Sequence, residues 1–61
     1  MNWQKVKMDG WHKFICGDFI LEPEDLDFGI WELWHQAQKI KVASLAECKS
    51  HAEWMNKQMQ T

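Results

Sequence analysis

The stretch Phe28-Gly29-Ile30-Trp31-Glu32-Leu33-Trp34-His35, followed by Gln36-Ala37-Gln38-Lys39-Ile40-Lys41-Val42-Ala43, decides the fold. As a strand, its first half puts Phe28, Ile30, Glu32 and Trp34 on one face and Trp31, Leu33 and His35 on the other. As a helix, Ile30, Leu33, Trp34, Ala37 and Ile40 make an apolar stripe. Gln36 to Lys39 are good helix formers and include no Gly or Asn to suit a hairpin turn. The strand is favoured for two reasons. Trp, Ile and Phe suit strands, and Gly29 is poor inside a first helical turn. Lys39-Ile40-Lys41-Val42-Ala43 then alternates charge with apolar, which reads as an edge strand with one buried face and lysines guarding the other.

Toward the C-terminus the period changes. Ser44-Leu45-Ala46-Glu47 fits a capping box, with Ser44 at the N-cap and Glu47 three positions on. Leu45, Cys48, Ala52, Met55 and Met59 share one stripe at the helical period. The pattern predicts a helix from residue 44 to 58 or 59 that lays this stripe on the sheet, with the tail from Gln58 to Thr61 frayed. Glu53 and Lys57 form an outward i, i+4 pair. Trp54 falls off the stripe, unexpected for so large an apolar side chain.

Toward the N-terminus, Pro23-Glu24-Asp25-Leu26-Asp27 interrupts the apolar pattern, and Glu22 to Asp27 reads as an acidic, solvated loop. Before it, Trp11-His12-Lys13-Phe14-Ile15-Cys16 and Phe19-Ile20-Leu21-Glu22 are short apolar runs joined by Gly17-Asp18, a tight hairpin. Residues 1–10 are polar apart from Trp3, Val6 and Met8. They either fold back onto the core through Trp3 or stay mobile. The expected fold is therefore α+β: one domain over residues 1–61, an antiparallel β-meander of three to four strands within 11–43, and one C-terminal amphipathic helix over 44–59 packed on one face. One sheet and one helix are the minimum two layers for a core.

Composition narrows the function classes. A chain of 61 residues buries only about 60% of its unfolded surface, which leaves little room for an enclosed substrate cavity. Five tryptophans supply large buried areas and argue against disorder. The net charge is −2, and all seven basic residues are lysine. Without arginine forks, and with an acidic balance, nucleic acid is not the expected partner. No apolar run follows the lysines near Met1, and no stretch reaches the ~20 apolar residues of a membrane span. The expectation is a cytoplasmic protein with reduced thiols and no membrane association.

Taken together, Trp11, Cys16-Gly17-Asp18-Phe19-Ile20, Trp31-Glu32-Leu33-Trp34 and Ala43-Ser44-Leu45-Ala46-Glu47-Cys48-Lys49-Ser50-His51-Ala52-Glu53 resemble small phage and prophage proteins that combine a β-meander with a C-terminal helix. The resemblance spans roughly residues 11–53. Cys48 stands where that pattern carries Ala, and no Gly precedes Ile40. The resemblance implies a phage or mobile-element origin and brings no catalytic residues.

Each chemical motif has a plainer reading. His12, Cys16, Cys48 and His51 have the right ligand types for zinc. On a strand, however, His12 and Cys16 stand ~13 Å apart, so Cys48 and His51 are the remaining metal candidates, and core packing explains Cys48 as well. Neither a nucleophile elbow, a phosphate loop nor an HExxH motif is present. No enzyme activity and no cofactor are expected. The acidic run has no EF-hand spacing. What remains is surface. The helix covers one face of the sheet, and Trp31 and Trp34 point to opposite faces, so one of them lies uncovered. The expected function is that of a non-enzymatic protein-binding module that uses Trp31, Trp34, Trp11, Glu24, Asp25 and Asp27. The alternatives are a homo-oligomeric assembly protein, with a homodimer as its simplest form, and a weak single-stranded nucleic-acid binder using Lys39, Lys41 and exposed Trp.

Overall fold

The computed structural model describes residues 1–60. Five antiparallel strands in sequential order make one sheet: β1 (Gln4–Lys7), β2 (His12–Cys16), β3 (Phe19–Asp25), β4 (Ile30–His35) and β5 (Gln38–Ser44). The helix α1 (Leu45–Met59) follows directly. The architecture is the expected α+β meander with one C-terminal helix, with one strand more than the three to four expected. The added strand is β1. Its residues look polar because only Val6 is half-buried, as suits a strand that pairs only with β2. Trp3, just before it, packs against the core.

Segment 28–43 is strand, turn and strand. The turn is Gln36-Ala37, two non-glycine residues at φ 52° and 65°. Left-handed backbone costs an L-residue about 1–2 kcal/mol, which is why neither residue signals a turn. The sheet pairings on both sides hold them there. Ala37→Gly is expected to raise stability by about 0.5–1 kcal/mol, because relief of this strain exceeds the extra chain entropy of glycine. A urea titration following the far-ultraviolet signal checks it. A fall in midpoint would show that the turn is unstrained.

Three further expectations are corrected. First, β3 continues through the acidic run to Asp25. Pro23 pairs with Trp31 beyond the last β2–β3 pair, Phe14 with Leu21, so it sits where β3 is a sheet edge and a strand proline is tolerated. Second, β4 begins at Ile30, and Phe28 stands in the preceding turn, 80% exposed. The Asp25 carboxylate accepts the backbone N–H groups of Asp27 and Phe28 and folds the turn locally. Third, β5 carries a bulge at Ile40, between the pairs Leu33 with Lys41 and Trp34 with Lys39. The extra residue shifts the alternation by one. Ile40 packs against the core, while Val42 pairs with Glu32 and is 49% exposed.

The core lies between the sheet and α1. It comprises Phe19, Leu21, Trp31, Leu33, Cys48 and Ala52, flanked by Phe14, Ala43, Leu45 and Met55. The helix begins as expected, with the Ser44 hydroxyl accepting the Glu47 N–H at 3.2 Å. Cys48 and Ala52 are fully buried on its stripe, but Met59 is 53% exposed, beside the β2–β3 turn. The helix runs on through Met59, and the Gln60 N–H donates to the Lys57 carbonyl. Of the tail expected to fray, Thr61 lies outside the described residues.

Candidate functional site

The two central tryptophans separate as strand alternation requires. Trp31 is 6% exposed and faces α1. Its ring lies 5.8 Å from those of His12 and Phe14. Its place among the partner-contact candidates is therefore corrected: Trp31 is core. Trp34 takes the opposite, uncovered face. There the cross-strand row Gln4, Ile15, Ile20, Trp34, Lys39 runs across all five strands. Ile15, Ile20 and Trp34 are its half-buried apolar centre.

Trp34 is held by its neighbours. Its indole N–H donates to Glu32 at 3.0 Å, and Lys39 pairs with the other oxygen of the same carboxylate at 3.2 Å. The Lys39 ammonium also lies 5.6 Å from the Trp34 ring centre. The three side chains form one tied cluster, which restrains the half-buried Trp34 ring. The partners that tie Trp34 are on its own and the neighbouring strand.

Beside this face is an open cleft of about 740 Å³. Trp11, Pro23 and Leu26 supply apolar walls, and Glu22, Glu24, Asp25, Asp27 and Glu32 supply five carboxylates. Turn and strand together build it. Trp11 stands just before β2, its carbonyl accepting the Met8 N–H at 2.7 Å. The β3 irregularity between Pro23 and Asp25 lets Glu24 and Asp25 line the same opening. Glu32 is paired with Lys39, and Asp25 caps its turn. Glu22, Glu24 and Asp27 have no ion-pair partner among the described residues. Leu26 and Phe28 stand at the tip of the same turn, 55% and 80% exposed.

Four of the expected contact residues, Trp11, Glu24, Asp25 and Asp27, thus share one cleft, with Trp34 on the adjoining sheet face. The sequence reading missed Leu26 and Phe28. The signal was present: Asp25, Asp27 and Gly29 are turn residues, and a turn there exposes what lies between them.

The candidate metal ligands have other surroundings. Cys48 is fully buried, its thiol 3.6 Å from the Trp31 carbonyl and 3.7 Å from that of Ala43. His51 stacks on Trp54, with ring centres 5.8 Å apart. Among the described residues no group of three or more Cys, His, Asp or Glu side chains is placed to share an ion. Burial pushes the Cys48 thiol above its ordinary value. The two thiols should therefore label in two steps. Half-buried Cys16 reacts in the native protein, and Cys48 only on unfolding. Ellman's reagent checks this; two native-state equivalents would contradict it. The sign of the pH effect follows. As pH rises through the ordinary thiol range the unfolded chain loses this proton and the folded chain keeps it, so Cys48 lowers stability toward alkaline pH.

No described helix is long and apolar enough to cross a membrane. Compared with known proteins, the chain matches no family model, no curated protein and no solved structure.

Proposed function

We propose that this protein is a non-enzymatic protein-binding module, an accessory protein of phage or mobile-element origin that acts by occluding a surface of a host or phage protein. The observation that supports this reading is the uncovered sheet face. A row of apolar side chains centred on Ile15, Ile20 and Trp34 stands opposite the face that the described helix covers. Contiguous apolar surface of this kind marks contact sites, and a fixed tryptophan is a frequent binding anchor. The tied Trp34, Glu32 and Lys39 cluster reduces the side-chain ordering that binding requires.

The test compares the tagged native chain with an Ile20→Ser/Trp34→Ala variant, each checked for folding by circular dichroism, and with Trp54→Ala on the helix as a surface control. Recovery of one stoichiometric partner by the native chain and by the control, and its loss with the open-face variant, supports the reading. A partner retained by the open-face variant overturns it. Genes for phage early functions beside the coding sequence would agree with the proposed origin, and a housekeeping operon would contradict it.

A further inference from the structure

We propose that the uncovered face receives a cationic amphipathic helix of the partner protein: its apolar stripe packs on Ile15, Ile20 and Trp34, and its Lys or Arg side chains enter the cleft formed by Trp11, Glu22, Glu24 and Asp27. This rests on the binding-module reading above and adds the chemistry of the occupant.

Three features specify that occupant. The first is charge. Five carboxylates line or border the cleft, against Lys39, which is already paired to Glu32, and Lys13 elsewhere on the face. Glu22, Glu24 and Asp27 can each take a new cation. The second is the apolar lining. Trp11, Pro23 and Leu26 suit the methylene stem of a lysine or arginine, whose charged head then reaches the carboxylate rim, with the Trp11 ring adding attraction for the cation. The third is size. The longest strands the row crosses, β3 and β5, have seven residues each, about 23 Å, which matches a helix of about 15 residues. The helix α1 on the other face has this length. A second helix opposite would cover the open face in the way α1 covers the other, apolar stripe on apolar row.

The same charge distribution disfavours the other occupants. Nucleic acid would bring phosphates against the carboxylates. A second copy would bring its own carboxylate excess to a shared patch.

The experiment uses the full chain and two synthetic peptides of about 18 residues with a leucine stripe: one with lysine on the polar face, the other with glutamate. Binding is measured by calorimetry and mapped by amide chemical shifts. The Leu/Lys peptide is expected to bind, to shift the amides of β2, β3 and β4 around Ile15, Ile20 and Trp34, and to weaken with salt. Glu22→Gln/Asp27→Asn should weaken it by about tenfold or more. Glu47→Gln/Glu53→Gln, which removes the same charge from the helix, should leave it unchanged. Equal loss in both double variants would mean non-specific attraction and overturn the proposal. Equal binding of the Leu/Glu peptide would overturn the cationic assignment and leave the open-face reading standing. Binding of neither peptide, or a dimer by sedimentation that Trp34→Ala dissociates, would overturn it in favour of another occupant.

Discussion

Trp31→Ala is expected to remove much or all of the domain's stability, while Trp34→Ala takes a smaller part of it. Trp31 is 6% exposed and carries the centre of the core. Its ring contacts His12 and Phe14 on β2, and its carbonyl lies 3.6 Å from the Cys48 thiol. Truncating a buried tryptophan costs about 3–5 kcal/mol through lost burial and the cavity left behind. A domain of this length has a total stability of about 3–9 kcal/mol, so the loss takes much or all of it. Repacking offers little relief, because the neighbouring aromatics His12 and Phe14 are anchored on β2, a strand not adjacent to β4. Trp34 differs. It is half-buried on the open face, and its removal loses one hydrogen bond, one cation–π contact and cross-strand packing, together about 2 kcal/mol. Urea unfolding of the two variants, followed by circular dichroism, makes the comparison. Similar losses would mean that the two faces of the sheet are equally buried, and that the assignment of a core tryptophan and a surface tryptophan is wrong.

The second large effect is expected at the leucine pair Leu21 and Leu33. Both are completely buried and stand directly opposite each other on β3 and β4, beneath Cys48 and Ala52 of the helix. Each change to alanine should cost about 2–5 kcal/mol. Because the two side chains face the same space, the cavities merge in the double variant, and the losses should depart from additivity by about 0.5–3 kcal/mol. Where the double alanine variant has no folded baseline, the cycle is made with the milder Leu21→Val and Leu33→Val truncations and read from denaturant midpoints. Strict additivity would show that the two leucines do not share one void. The same cycle also separates core from site, since neither leucine lines the acidic cleft.

The parts of this fold legible from sequence are those set by neighbouring residues. The Ser44 cap, the Gly17-Asp18 hairpin and the buried Cys48–Ala52 stripe all stand where local pattern places them. The illegible parts depend on partners distant in sequence. Val6 and its polar neighbours become a strand only because β2 offers an edge. Gln36-Ala37 turns against its own propensity because β4 and β5 pair on either side. Of the candidate site, the acidic residues and Trp11 were legible as types. Their meeting in one cleft with Pro23 and Leu26 was not, because it depends on β3 extending past the proline and on an irregularity between Pro23 and Asp25.

Sequence alone thus determined that Trp31 and Trp34 oppose each other, since strand side chains alternate with period two. It also determined that a helix capped by Ser44 would cover one face, because the cap and the stripe are local properties. Tertiary structure alone decided which tryptophan is buried. The choice depends on the face toward which β5 turns into the helix, and the Ile40 bulge reverses the alternation of that strand just before Ser44. A single extra residue in one ladder moves Val42 outward beside Glu32 and leaves Ala43 facing inward with Trp31 under the helix. No local propensity records that shift, because its cause lies in the pairing of β5 with β4.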